Sequence, residues 1–140
     1  PPPVAPGGVT LRTVVFLVDE IYHTGAHTPS SQDEADLEAV VAQALVSGGV
    51  ELYSLDMIDA GSASGGMLQH WRVDVTLPDD NVGALRAHHA DASFLAFVEG
   101  GAASLGGTHS HSLYSLVGDV DATQSTFVGL APSPPPTGAT

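Results

Sequence analysis

The chain has 140 residues, 43% of them hydrophobic and 14% charged, which suffices for one domain with one core and is too short for two. The chain has 16 acidic side chains and only three basic ones, which gives a formal net charge of −13. This charge argues against binding to nucleic acid or to an anionic membrane surface. The sequence contains no cysteine, which excludes disulfides, thiolate metal sites and cysteine nucleophiles.

Proline-rich segments stand at both ends of the chain, at residues 1–10 and 131–140. Proline has a fixed φ and no backbone N–H, so such a segment loses little conformational entropy when it is pinned against a surface. We therefore predict two extended arms that contact neighbouring proteins through their prolines: Pro1, Pro2, Pro3, Pro6, Pro132, Pro134, Pro135 and Pro136. The first arm lacks the positive and apolar regions of a secretory signal, so we expect none, and no apolar run approaches the ~20 residues that span a bilayer.

A central strand is predicted from Leu11 to Tyr22. Five apolar residues, from Val14 to Val18, follow one another without a break. A half-exposed strand alternates apolar and polar residues, whereas a continuous apolar run indicates that both faces are covered. We therefore expect this strand in the middle of a sheet.

A helix is predicted from Gln32 to Ser47. Ser31 is the expected N-cap, since Glu34 three residues later completes a capping box. The apolar residues recur at helical spacing and form one stripe: Leu37, Val40, Val41, Ala44 and Leu45. The glycine pair at 48–49 supplies the stop.

Further strands and one further helix are predicted in the rest of the chain. The clean alternation of Met67–Leu77 is typical of a strand with Trp71 on its apolar side. A short helix is expected from Asp79 or Asp80 to about His89. The remaining predicted strands are 50–59, 93–99, 113–117 and 126–130, the last two joined by a hairpin turn or an extended arm at 118–123.

The predicted element order through residue 100 is β-α-β-β-α-β, which is typical of an α+β protein with the ferredoxin-like arrangement. Such a sheet carries its helices on one face, yet two of its strands are apolar on both faces, so the C-terminal segment or a second subunit should cover the open face. We divide the chain into an N-terminal arm (1–10), an α+β core domain (11–100), a Gly-rich loop with a C-terminal β extension (101–130) and a Pro-rich tail (131–140).

One group of candidate chemical residues lies at the end of the first strand and in the loop after it: Asp19, Glu20, His23 and His27. A carboxylate beside a histidine can orient the ring as a general base. No nucleophile motif accompanies these residues, so an acidic strand end with a solvated loop is the favoured interpretation. We assign no catalytic residue.

His109 and His111 are a second candidate group. On an extended segment, residues two apart point the same way, so both rings could reach one metal ion, with Asp119 or Asp121 as a carboxylate ligand. Two histidines without a fixed third ligand do not define a site, and a polar loop after a glycine-rich turn is the favoured interpretation. We predict neither a metal ion nor another cofactor.

These features favour a non-enzymatic structural or assembly protein. It would form a homo-oligomer and pack against a larger scaffold with basic patches, for example as a capsid decoration or tail component of a virion. Its expected location is a virion or another extracellular assembly, or otherwise the cytoplasm. The alternatives are a small oligomeric α+β enzyme or ligand-binding domain that uses Asp19, His23 and His27, and a metal-binding or regulatory module.

Overall fold

The computed structural model of the chain describes residues 10–23 and 25–130, and of residues 122–130 it describes the backbone only. In this part of the chain, a four-stranded antiparallel sheet packs against three helices, which confirms the predicted α+β class. The strands are β1 (Thr10–Ile21), β2 (Ser54–Ala63), β3 (Leu68–Pro78) and β4 (Leu113–Leu130), and the helices are α1 (Ser31–Ser47), α2 (Val82–His89) and α3 (Ala92–Leu105). The two proline-rich segments lie outside the described residues, apart from Thr10, and the division of the chain into four parts stays a prediction.

The strand order is β2-β3-β1-β4, so β1 lies inside the sheet, as predicted. From Val14 onward, the even-numbered residues of β1, among them Phe16 and Val18, are buried on the side that carries the helices. We call the opposite side the open face. Because side chains alternate along a strand, neighbouring residues of β1 face two different environments.

Helix α1 confirms the predicted helix but begins one residue earlier than expected. Its N-cap is Ser30, whose hydroxyl accepts from the Asp33 backbone N–H at 3.2 Å, while the Asp33 carboxylate accepts from the Ser30 N–H at 2.7 Å. The pairs Ser30/Asp33 and Ser31/Glu34 both fit a capping pattern, and the short Asp33 side chain closes the box. The predicted apolar stripe is the buried face of α1: Leu37, Val40, Val41, Ala44 and Leu45.

The predicted strand at residues 93–99 is wrong, because this segment belongs to α3. Asp91 has an extended backbone and its carboxylate accepts from the Ser93 N–H at 2.9 Å, so it starts a new helix directly after α2. The buried residues of α3 are Phe94, Val98 and Ala102, spaced four apart as one helical face requires. A Cβ at Gly101 would lie 2.8 Å from a Val40 methyl carbon, so this glycine allows α3 to approach α1 closely.

Strand β4 replaces the two short strands predicted at 113–117 and 126–130, and it pairs with β1 along its length. Register shifts between the two strands mark bulges, which absorb the residues predicted as a turn at 118–123. With three helices, the element order is β-α-β-β-α-α-β, which differs from the predicted β-α-β-β-α-β. The ferredoxin-like order is therefore not confirmed.

Among residues 10–23 and 25–130, no helix has both the length and the apolar character needed to cross a membrane.

Candidate functional site

Glu20, near the end of β1, is a carboxylate with no exposed surface. Its even position in the strand turns it toward the helices, beside Val18. Its Oε1 accepts a hydrogen bond from Trp71 Nε1 at 3.1 Å, and its Oε2 accepts one from the Tyr114 hydroxyl at 2.8 Å. These donors replace part of the hydration that a buried carboxylate loses.

His109 provides the positive partner of Glu20. It lies in a short 3₁₀ turn, Gly107–His111, between α3 and β4. Its Nδ1 lies 2.6 Å from Glu20 Oε2 and its Nε2 lies 2.9 Å from Asp33 Oδ1. An ionised carboxylate only accepts hydrogen bonds, so both ring nitrogens donate and the ring is an imidazolium.

Asp33 links this pair to the protein surface. It stands in the first turn of α1, held by the cap at Ser30, and its Oδ2 lies 2.9 Å from His27 Nε2. The side chains of His27 and Asp33 are 29% and 17% exposed, against 6% for His109. We call Glu20, Asp33, His27 and His109, with the donors Trp71 and Tyr114, the buried cluster.

The contacts within the buried cluster shift the pKa values of its members. The hydrogen bond to Glu20 raises the pKa of His109 to about 9, with help from Asp33 and against the opposing effect of burial. Burial favours a high pKa for Glu20, yet its hydrogen bonds from His109, Ser112 and Tyr114 outweigh burial and lower that pKa. Burial is likewise outweighed at Asp33, whose pKa is lowered by the Ser30 N–H, His27 and His109. At neutral pH, Glu20 and Asp33 are therefore carboxylates and His109 is an imidazolium.

Tyr22 adjoins the buried cluster, and its buried hydroxyl interacts with the Glu20 carboxylate but makes no hydrogen bond of good geometry with any described residue. Its ring packs against His27 at 5.3 Å and against His109 at 6.3 Å between ring centroids. Burial and the nearby negative charges of Glu20 and Asp33 raise the pKa of its phenol, so the hydroxyl stays protonated at neutral pH.

The predicted group of Asp19, Glu20, His23 and His27 is divided between different surroundings. Asp19 lies on the open face, where its carboxylate contacts His70 Nδ1 at 2.7 Å. His23 is exposed, and only Glu20 and His27 join the buried cluster. The alternation of β1 could have indicated this division, because Glu20 shares the even positions with the apolar residues.

The expectation that the rings of His109 and His111 point the same way is wrong. The segment is a 3₁₀ turn rather than extended backbone, so His109 is buried and His111 is exposed. The partners that sequence reasoning missed are Asp33 and Tyr114. Asp33 was assigned only to the start of the helix, where acidic residues are common. No local sequence pattern links Tyr114 to Glu20, which is 94 positions away.

The open face is the second notable feature. Its large aliphatic side chains are exposed by 39–52%: Leu17, Ile21, Ile58, Leu113 and Val117. The strand register pairs Ile58 with Arg72, Arg72 with Leu17 and Leu17 with Val117, so three of these aliphatic side chains form one row across the four strands together with Arg72. We call it the exposed row. Aligned exposed apolar side chains mark an interaction site more often than an isolated exposed residue does, and here Arg72, paired with Asp74 at 2.7 Å, interrupts the apolar surface.

No family model, curated protein or solved structure matches this chain. Its function must therefore be inferred from the buried cluster and from the open face.

Proposed function

We propose that the protein is a structural or assembly protein whose copies associate through the open faces of their sheets. The observation that carries the proposal is the exposed row, in which Leu17 and Val117 are 40% and 42% exposed. Apolar area removed from water contributes roughly 25 cal/mol per Å², so leaving such a row in solvent forgoes a large stabilisation. A second copy supplies the same aliphatic side chains and the same Arg72–Asp74 pair, as a two-fold symmetric interface requires.

The dimensions of the sheet suit such an interface. Four strands about 4.8 Å apart, each with about ten residues of about 3.3 Å, span on the order of 600 Å². Standard protein–protein interfaces bury about 800 Å² per partner. The open face therefore offers most of the area that a stable dimer needs.

The dependence of binding on salt concentration distinguishes self-association from binding to a basic partner. Two copies of net charge −13 repel each other, so salt, which screens charges beyond about 10 Å, should strengthen association through an apolar face. Binding to a scaffold with basic patches should weaken with salt instead. The proposed scaffold, of which a virion shell is one example, is supported by the composition of the proline-rich arms and by the net charge alone.

The test compares two substitutions of exposed valines. Val117 lies in the exposed row, whereas Val46 lies on α1 and is 50% exposed. Sedimentation equilibrium should find a dimer or larger oligomer for the wild type and for Val46→Glu. Val117→Glu should raise the dissociation constant on the order of tenfold or more, because each buried interface would then hold two unpaired carboxylates.

Two results contradict self-association. One is a wild-type protein that remains a monomer at both low and high salt. The other is an equal effect of the two glutamates, which would mean that added charge, rather than the open face, controls association. Circular dichroism of both variants checks that the fold is retained.

We also propose that the fold is a variant of the ferredoxin-like arrangement. The support is the antiparallel order β2-β3-β1-β4, in which the first and third strands lie in the middle as that arrangement requires. The pair α2 and α3 then stands in place of the single second helix, divided at Asp91.

An enzymatic or ligand-binding role is the second candidate. Of the predicted residues Asp19, His23 and His27, only His27 belongs to the buried cluster that would serve as the active or binding site. It lies there with Asp33 and His109. His109 donates from both ring nitrogens to carboxylates of the protein, which leaves neither nitrogen for proton transfer to a substrate. This is why the assembly role ranks first.

Hydrolysis of p-nitrophenyl acetate and p-nitrophenyl phosphate tests the second candidate. A rate that falls in His27→Ala and persists in His111→Ala, an exposed histidine near the site, would support it. Equal rates in both variants and the wild type would contradict it.

A further inference from the structure

We propose that His27, Asp33 and His109 form a binding site for a divalent transition-metal ion of the Zn²⁺ type. Each residue offers one ligand atom, and the three atoms lie within 4.8 Å of one another. Two imidazoles and one carboxylate are a common set of protein ligands for such ions, and three ligands leave a position for water.

The distances require little movement. His27 Nε2 and His109 Nε2 each lie 2.9 Å from an oxygen of Asp33. Ligands at about 2.0–2.1 Å in a tetrahedral zinc site are roughly 3.3 Å apart. An ion that replaces the two hydrogen bonds therefore moves each histidine away from Asp33 by a few tenths of an ångström and draws the two rings together.

Glu20 supplies the outer contact that metal-bound histidines commonly have. It holds Nδ1 of His109 at 2.6 Å and so fixes the orientation of the ring, and Nε2 faces the ion once the binding ion displaces its proton to solvent. Glu20 is fixed in turn by Trp71 and Tyr114. The His109 ring is therefore positioned by Glu20, Trp71 and Tyr114, none of which touches the ion.

The other two ligands are also held in place. Asp33 belongs to the capping box of α1. The backbone N–H of His27 donates to the Gly66 carbonyl at 3.1 Å, and a Cβ at Gly66 would lie 3.1 Å from Ala26 Cβ. The loop that carries His27 thus packs closely on the turn between β2 and β3, which limits the entropy lost when an ion binds.

Tyr22 is an independent indication of a missing ligand. It is 1% exposed, its ring contacts both histidine rings, and its hydroxyl makes no hydrogen bond of good geometry in the described part of the chain, although it interacts with the Glu20 carboxylate. Buried hydroxyls seldom lack a partner. A water or hydroxide on the ion is a group to which this hydroxyl could hydrogen-bond.

The experiment is isothermal titration of the EDTA-treated, dialysed protein with ZnCl₂ at pH 7, with melting temperature as a second measurement. The wild type should bind one ion per chain and melt at a higher temperature with zinc. His27→Ala should weaken binding by roughly a hundredfold or more, since changes outside the first ligands already cost 10–100-fold. His27 is partly exposed, so this variant keeps the buried pair of His109 and Glu20.

Two controls make the outcome decisive. His111→Ala, at an exposed position two residues from His109, should bind zinc like the wild type. Mg²⁺, which prefers oxygen ligands, should give little binding. Equal affinity in His27→Ala and the wild type, or equal stabilisation by Mg²⁺ and Zn²⁺, would overturn the proposal, because the ion would then only screen the acidic surface.

Discussion

Two neighbouring carboxylates of β1 make the same contact on opposite faces of the sheet. Asp19 contacts His70 at 2.7 Å on the open face, and Glu20 contacts His109 at 2.6 Å under the helices. The side chains of His70 and Asp19 are 40% and 21% exposed, whereas those of His109 and Glu20 are 6% and 0% exposed. Residue type and distance are thus nearly matched, and burial is the main difference.

This difference decides what each pair contributes. On the open face, water solvates both side chains, and exposed pairs of this kind are typically worth about 0–1 kcal/mol. Under the helices, each charge has lost its hydration, which costs several kcal/mol per ion and must be offset by Trp71, Tyr114 and Asp33. Losing a partner therefore matters much more in the buried pair, although the two distances differ by only 0.1 Å.

The largest effect is expected for Glu20→Gln. The substitution keeps the shape of the side chain but removes the charge that balances the buried imidazolium of His109. Breaking a buried ion pair in this way costs about 3–5 kcal/mol. Urea denaturation of the zinc-free protein measures the cost, and a loss below about 1 kcal/mol would show that burial does not distinguish the two pairs.

The buried pair should also make stability depend on pH in EDTA. The pKa of His109 is raised to about 9, so its contribution is complete below its unfolded value of 6.5 and is lost as the pH rises through 9. Glu20 and Asp33 have lowered pKa values, so their contributions are present above about 4.5 and are lost in acid. The alkaline loss is on the order of 3 kcal/mol.

Denaturation midpoints at pH 5.5, 7.5 and 9.5 measure this dependence. Stability should be greatest at pH 5.5 and lowest at pH 9.5. In His109→Gln the alkaline decline should disappear. A decline that persists in this variant would assign it to other groups.

The sequence predicted those parts of the fold that depend on local patterns. Alternation and apolar runs indicated β1 and β3, and the capping pattern indicated α1 to within one residue. The apolar run at 93–99 does not by itself distinguish a strand from a buried helix. In the structure, the Asp91 side chain caps α3 and so favours the helix. In the sequence, the helix is indicated only by the four-residue spacing of Phe94, Val98 and Ala102.

The buried cluster was less predictable, because its contacts join distant parts of the chain. His109 and Glu20 are 89 residues apart, and Tyr114 and Glu20 are 94 apart. The sequence alone identified Glu20, His27 and His109 as candidates, but in two separate groups. Only the position of the 3₁₀ turn, set by the packing of α3 and β4, brings the groups together.

A smaller effect is expected for the hydroxyl that binds Glu20. Tyr114→Phe removes a donor from a buried charge, which costs about 1.5–3 kcal/mol. Tyr22→Phe is the matched control, because the Tyr22 hydroxyl is buried beside the same carboxylate but makes no hydrogen bond of good geometry in the described part of the chain. In zinc-free protein, this control should cost nothing or stabilise slightly, and equal losses in the two variants would contradict the role of Tyr114.

The smallest effect is expected for Asp19→Asn, the counterpart of Glu20→Gln on the open face. In dilute monomer the loss should be at most about 1 kcal/mol and should shrink with added salt, because water and ions screen the Asp19–His70 pair. If copies pack through their open faces, the same pair becomes buried in the dimer. The loss should then grow with protein concentration, toward the values expected for Glu20. Urea denaturation at low and high protein concentration measures this change, and a loss above 2 kcal/mol in the dilute monomer would contradict the assignment of Asp19 to a solvated face.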